Sequence, residues 1–161
     1  MRKFLYTTII LFVFILASSQ QAKSNNPKTK DKMEEQKIEK LLEEKYINAV
    51  ANELNTDKML ELFHPDFAIF SADGNNLAKF PLLEWKKVID DYKVDNKGNA
   101  DLRNLTHEFV FIDITGTAAI AKVQLYRRGE LIATDYISLL KFNNDWKIVA
   151  KVPYAHIEKP F

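Results

Sequence analysis

The sequence predicts an α+β fold in which a curved antiparallel sheet packs on three N-terminal helices. Two observations carry this prediction. From residue 33 onward, apolar residues recur at the i, i+3, i+4 spacing of amphipathic helices. The last third of the chain instead carries runs of β-branched and aromatic residues, which short polar turns interrupt. Helices followed by a strand meander are typical of a single α+β domain with its helices on one face of the sheet.

The N-terminus has the pattern of a signal peptide. Arg2 and Lys3 precede fourteen uncharged residues, 4–17, and small residues follow up to Ser19. We expect cleavage after Ser19 and export to the periplasm or the extracellular space. The apolar run is shorter than the roughly 20 residues that cross a bilayer, and the chain has no cysteine for lipid attachment. A stable membrane anchor is therefore not expected.

The remaining chain divides into a polar tether and one domain. Residues 20–35 are polar and of mixed charge, so we predict a flexible tether or the frayed start of a helix there, followed by the domain over residues 36–161. Basic and acidic residues number 23 and 22. This balance does not favour a nucleic-acid partner.

Three helices are predicted in order. The first runs from about 34 to 53, with an apolar stripe that includes Tyr46. A second, short helix follows the N-cap signal at 55–57 and stops at His64-Pro65. Pro81 opens a third helix, whose apolar face is formed by Leu82, Trp85, Val88, Ile89 and Tyr92.

Strands follow the helices. Residues 67–71 form a strand-like run before the Asp73-Gly74 turn. The breaks at Thr115-Gly116, Arg128-Gly129 and 143–145 predict three hairpins. The four strands that these hairpins join are predicted at about 103–114, 117–127, 130–142 and 146–154.

The turn lengths predict which side chains face the helices, because successive side chains of a strand alternate between its faces. The helix-facing set is Glu108, Val110, Ile112, Ala121, Val123, Thr134, Tyr136, Leu140, Trp146, Ile148 and Tyr154. The opposite face, with Phe109, Phe111, Ile120, Tyr126, Ile137 and Leu139, is too apolar for water alone, and we expect a homodimer through it. A one-residue error in a hairpin would bring His107 and Asp135 inward and turn Glu108 outward.

The order of several short patterns resembles a known family. They are Tyr46-Ile47, Phe63-His64-Pro65-Asp66, Glu84-Trp85, Asp135 to Lys141, and Trp146 to Val149. Over roughly residues 38–157 the chain resembles the nuclear transport factor 2-like superfamily, and most nearly its branch named "putative lumazine-binding". The resemblance implies a cone of bent sheet and helices that dimerises through the sheet. Members include isomerases, dehydratases, polyketide cyclases and binding domains without a reaction, so fold alone assigns no chemistry.

Two pairs of residues are candidates for acid–base chemistry. Glu108 with Tyr136, in the predicted register, would supply a base and a hydrogen-bond donor inside the cone. In the other reading Glu108 reaches water at a strand end and Tyr136 is a core aromatic. His107 with Asp135 is the pair of the alternative register; otherwise Asp135 forms a cross-strand ion pair with Lys122.

The predicted ligand-binding residues are Tyr46, Trp85, Glu108, Thr134, Tyr136 and Tyr154. The rings of Tyr46, Trp85 and Tyr154 are candidate stacking surfaces for a ring-bearing small molecule, although core packing explains them equally well. His64 precedes a proline at a helix end, where capping or packing is the ordinary role. The histidines His64, His107 and His156 are more than forty residues apart, so no metal is expected, and no cofactor motif is present.

The sequence therefore predicts an exported binding or accessory domain for an unidentified small molecule. The alternative is a cofactor-free lyase or isomerase that uses one of the two acid–base pairs inside the cone.

Overall fold

The computed structural model describes residues 27–96 and 103–158, in which helices cover one face of a curved, mostly antiparallel sheet. The predicted α+β class and cone-shaped fold are confirmed. The helical segments are α1 (Pro27–Leu41), π1 (Leu42–Asn52), α2 (Thr56–Leu62) and α3 (Leu82–Asp95). Helix α1 begins before the predicted start at residue 34, so the part of the predicted tether from residue 27 onward is helical. The predicted signal peptide lies outside the described residues.

The first predicted helix changes its hydrogen-bond pattern halfway. From Leu42 the backbone bonds run from i to i+5, and the Glu53 N–H continues this pattern by donating to the carbonyl of Asn48. Residues one turn apart on the buried face of π1 are consequently separated by four or five positions, as Leu42 is from Tyr46 and from Ile47. The buried residues of π1 are Leu42, Tyr46, Ile47, Ala49, Val50 and Ala51.

Six strands form one sheet in the described part of the chain, in the order β2-β1-β6-β5-β4-β3. The predicted four-strand meander is confirmed as β3 to β6, and β1 is longer than predicted. The β1–β6 pair is parallel. Strand β2 was not predicted because its six residues show no clear alternation of polar and apolar side chains. The strands are β1 (Phe63–Asp73), β2 (Asn76–Pro81), β3 (Leu105–Thr115), β4 (Ala118–Arg127), β5 (Glu130–Phe142) and β6 (Asp145–Ala155).

Three bulges overturn the predicted strand register. Val110 is an extra residue in β3, Ile132 in β5 and Val149 in β6, so the alternation of faces reverses beyond each of them. As a result Glu108 pairs with Gln124 on the outer face, whereas Phe109 and Asp135 pair with the inward-facing Val123. Counting two residues per repeat cannot reveal a bulge, which is the physical reason for the error.

The reversal moves specific residues between the faces of the sheet. Ile112, Ala121, Val123, Trp146 and Ile148 face the helices as predicted. Phe109, Ile137 and Leu139 also face the helices, contrary to the prediction, as does Asp135. The residues predicted to face the helices that instead belong to the outer face or to a bulge are Glu108, Val110, Thr134, Tyr136, Leu140 and Tyr154.

Two polar contacts fasten the N-terminal helices to the sheet. The Asn52 side chain accepts from the Leu105 N–H at 2.9 Å and donates to the Leu105 carbonyl at 3.1 Å, as a neighbouring strand would. Glu34 of α1 accepts hydrogen bonds from Lys141 Nζ at 2.7 Å and from Trp146 Nε1 at 2.9 Å. These ion-pair and hydrogen-bond partners hold the pKa of Glu34 at about 2, with Lys141 the largest cause.

Candidate functional site

The interior of the cone contains an acid and a base that face the helices. Asp135 of β5 is 0% exposed and Lys151 of β6 is 5% exposed. The bulge at Ile132 turns Asp135 inward, and Lys151 lies opposite Ile137 on the adjacent strand. Both charges therefore lie among apolar residues, where an ion needs a compensating partner.

Tyr46 connects these two charges. Its hydroxyl donates to Asp135 Oδ2 and accepts from Lys151 Nζ at 3.0 Å. The Lys151 ammonium also lies 3.5 Å from Asp135 Oδ2. Three side chains from π1, β5 and β6 thus form one buried polar cluster, and we use the term interior cluster for Tyr46, Asp135 and Lys151.

The surroundings of Tyr46 keep its hydroxyl protonated. Burial raises the pKa of Tyr46 well above 10, and the neighbouring Asp135 carboxylate raises it further. The salt bridge between Asp135 and Lys151 pairs one negative with one positive charge, so the interior cluster is balanced.

Trp85 of α3 borders the interior cluster. Lys151 Nζ lies 4.8 Å from the centroid of the Trp85 ring, a cation–π contact. The indole also packs on Phe63 at 5.3 Å and on Phe67 at 5.8 Å between ring centroids. Trp85 is half-buried, whereas the three members of the interior cluster are buried.

One atom of the interior cluster has no hydrogen bond. Asp135 Oδ1 is buried and has no partner among the residues that the structure describes. Both interactions of this carboxylate go to Oδ2. Buried polar atoms are almost always paired in folded proteins, so an unpaired carboxylate oxygen indicates a place for an additional donor.

Two arginines lie on the same side of the sheet. Arg103 places its guanidinium 4.4 Å from the centroid of the Tyr92 ring. Burial lowers the pKa of Arg103, although the guanidinium remains charged. Arg103 also acts electrostatically on Tyr46 and on Arg127, which pairs with Leu105. The surroundings of the interior cluster are thus rich in positive charge.

The structure brings together three of the residues predicted from the sequence, Tyr46, Trp85 and Asp135. Lys151 was missed because alternation counted from Trp146 and Ile148 places it on the outer face, and only the bulge at Val149 turns it inward. His107 faces the helices but packs on Phe109, two strands away from Asp135. The predicted cross-strand pair of Asp135 with Lys122 is wrong, because Lys122 pairs with Tyr136 on the outer face.

The other predicted residues lie on the outer face. Glu108 accepts from the Tyr126 hydroxyl at 3.3 Å, and Tyr136 is 39% exposed. Thr134 is buried beneath His156, with 2.9 Å between Oγ1 and Nε2, beside the exposed Tyr154. His64 stacks on Phe142. Glu108 and Tyr136 are therefore outside the cone, and their predicted role there is not compatible with this register.

Two surface cavities lie away from the interior cluster. One of about 350 Å³ is lined by Asn104, Thr106, Arg128 and Gly129. The other, of about 440 Å³, lies between the first helices and the β5–β6 turn and is lined mostly by charged residues. Within residues 27–96 and 103–158, no group of three acidic or histidine side chains could hold a metal, and no helix is long and apolar enough to span a membrane.

Comparison with known proteins agrees with this architecture. A model of the family described as "putative lumazine-binding" matches residues 33–154. A nuclear transport factor 2-like protein from Shewanella baltica is 26% identical, with a TM-score of 0.59 over 76% of this chain and 96% of that one. One from Methylobacillus flagellatus is 29% identical, with a TM-score of 0.58 over 79% and 94%. No curated protein matches the chain.

Proposed function

Because the chain belongs to the "putative lumazine-binding" family of the nuclear transport factor 2-like superfamily, we propose that its domain binds a small molecule at the interior cluster. The observation that carries this proposal is the buried Asp135 Oδ1, which has no hydrogen-bond partner among the described residues. Burying a charged oxygen without a hydrogen-bond donor lowers the stability of the fold by about 1–3 kcal/mol or more. A ligand that supplies the donor recovers this free energy on binding.

The position of Trp85 supports a route to the interior cluster. It is the most exposed of the four residues, and among the described residues it is held by ring contacts and by Lys151 rather than by a hydrogen bond. A rotation of the indole would uncover Lys151 without breaking the ion pair with Asp135. The ligand therefore enters beside α3.

The binding proposal is tested with the purified domain and three variants. Native mass spectrometry and thermal shift against a metabolite panel that includes lumazine, the compound of the family's description, measure binding. We expect a bound mass or a raised Tm for the wild type, loss of both in Asp135→Asn, and retention in Glu108→Gln, which changes an exposed carboxylate on the outer face.

Lys151→Arg provides a second variant if Asp135→Asn does not fold, because it keeps the charge but alters the contacts with Tyr46 and Trp85. Binding that is equal in the wild type and in every folded interior variant would contradict the proposal. So would the absence of any bound compound across the panel.

An acid–base reaction inside the cone is the second candidate. The Tyr46 hydroxyl accepts a hydrogen bond from Lys151 and donates one to Asp135, so it joins two buried ionisable groups that a reaction inside the cone could use. If a captured ligand is converted, Tyr46→Phe should abolish its conversion while His107→Gln leaves it unchanged. Conversion that persists in Tyr46→Phe would contradict this candidate.

We also propose that the chain is exported. The support is the charged start, the short apolar run and the small residues before Gln20. Expression of the full chain in a bacterium followed by N-terminal sequencing should find Gln20 as the first residue of a protein in the periplasmic or extracellular fraction. An intact N-terminus, or recovery with the membranes, would contradict the proposal.

We further propose that two copies associate through the outer face of the sheet. Phe111, Ile120 and Tyr136 are exposed there, and Val152 and Tyr154 extend the same apolar surface. Sedimentation velocity should give a dimer for the wild type and a monomer for Ile120→Lys. The matched control Leu83→Lys changes an exposed leucine of α3 and should remain a dimer. A monomeric wild type would refute the association.

A further inference from the structure

We propose that the ligand of the interior cluster is an uncharged molecule that donates a single N–H or O–H hydrogen bond to Asp135 Oδ1. This inference rests on the proposed binding function and specifies the chemical class of its ligand. It is supported by a difference between the two oxygens of the Asp135 carboxylate. Oδ2 has partners, whereas Oδ1 has none among the described residues.

Asp135 offers a ligand one oxygen and not two. Oδ2 accepts from Tyr46 and lies 3.5 Å from Lys151 Nζ, whereas Oδ1 has no partner among the described residues. A guanidinium or amidinium group grips a carboxylate through two parallel N–H bonds, which need both oxygens. Such fork-shaped cations would have to displace Tyr46 or Lys151.

The charge of the interior cluster disfavours ions in general. Asp135 and Lys151 already neutralise each other, and Tyr46 stays protonated. A cation placed at Oδ1 would lie close to Lys151 and beside Tyr46, on which Arg103 also acts, while an anion would meet the carboxylate itself. A buried charge without a partner is strongly unfavourable. A neutral donor completes the hydrogen bonds and adds no charge.

The same arrangement makes the donor decisive for recognition. A site built to hydrogen-bond a donor rejects an analogue that lacks it, because the buried acceptor is then left unpaired. Methylation of the donor atom on a ligand should therefore weaken its binding far more than the added volume alone would.

Four probe types distinguish the classes by ligand-observed NMR. The neutral donors are 2-pyridone and phenol, and their matched donor-free partners are N-methyl-2-pyridone and anisole. Benzamidine is the cation and benzoate the anion. We expect each donor to bind at least about tenfold more tightly than its methylated partner, which is the ratio for one hydrogen bond to a charged acceptor.

Two variants test whether the preference for a donor depends on Asp135. The preference for the donor should disappear in Asp135→Asn and persist in Glu108→Gln. Should Asp135→Asn not fold, the indole N–H signals of the wild type replace it as a readout. The donors should shift the signal of Trp85, beside the interior cluster, and leave that of Trp146, which donates to Glu34, in place.

Each other outcome overturns the inference in an identifiable way. If benzamidine or benzoate binds best and depends on Asp135, the ligand class is wrong while the binding function stands. If methylated and unmethylated probes bind equally, a water rather than the ligand serves Oδ1, and the class is again wrong. If probe binding is the same in the wild type and in Asp135→Asn, both the inference and the proposed function fail.

Discussion

Replacing Asp135 with valine should destabilise the domain far more than replacing the whole interior cluster. The single change leaves the Lys151 ammonium, which is 5% exposed, without its counter-ion. Breaking a buried ion pair in this way costs about 3–5 kcal/mol. For a domain of this size, such a loss should lower the Tm by about 10–20 °C.

The triple variant Tyr46→Phe, Asp135→Val, Lys151→Met removes every charged and hydroxyl group of the interior cluster together. Apolar replacements of buried ion pairs are often neutral or stabilising by about 1–4 kcal/mol. The wild-type Tm should therefore be recovered or exceeded, while ligand binding is lost.

Thermal and urea unfolding of the wild type, the single variant and the triple variant measures these differences. A triple variant that is as unstable as Asp135→Val would show that packing, and not charge, causes the loss. A single variant within about 1 kcal/mol of the wild type, the range typical of solvent-exposed ion pairs, would show that Lys151 reaches water. Either result would refute the argument that the polar groups are retained for binding.

Three further predictions concern the frame around the interior cluster. Glu34→Gln should cost about 1–2 kcal/mol at pH 7 after allowance for solvent contact. Lys141 lowers the folded pKa of Glu34 to about 2 from 4.5, so this difference should vanish as the pH falls from 4.5 towards 2 in urea titrations. Asn52→Ala, which removes both bonds to the Leu105 backbone, should cost about 1–3 kcal/mol and speed hydrogen exchange of the Leu105 amide. Arg128→Gly should raise stability by up to about 1 kcal/mol in thermal unfolding, because its φ of 53° is unfavourable for a side chain.

The helices and the strand meander could be predicted from the sequence because their signals are local. The apolar stripe around Tyr46 and the stop at His64-Pro65 each depend on a few neighbouring residues, and both agree with the structure within a few residues. The hairpin at Arg128-Gly129 was also predictable, since both residues adopt the positive φ of a two-residue turn. Strand β2 could not be predicted in this way, because it is stabilised by its pairing with β1 and its own residues show no regular alternation.

The site was only half predictable because its composition depends on three bulges. The extra residues Val110, Ile132 and Val149 decide that Glu108 faces outward and that Asp135 and Lys151 face the helices. No local residue preference marks these positions, since valine and isoleucine are ordinary strand residues. Tyr46 and Trp85 were identified correctly as interior residues, because a helix stripe has no comparable dependence on distant register.

The conformation of π1, whose hydrogen bonds run from i to i+5, also depends on contacts with residues that are distant in the sequence. Leu42, Tyr46 and Val50 recur at intervals of four residues, and Ile47 and Ala51, five positions after Leu42 and Tyr46, are also buried. Within this segment Tyr46 contacts Asp135 and Lys151, and Val50 packs in the core. Helical segments of this type are rare because they are less stable than an α-helix. Where they do occur, they frequently lie at functional sites. Two features at this site therefore lower the stability of the domain. One is the π-helical conformation of π1, and the other is the burial of the polar groups of the interior cluster. The proposed ligand site would account for both, since functional sites are commonly kept at a cost in stability.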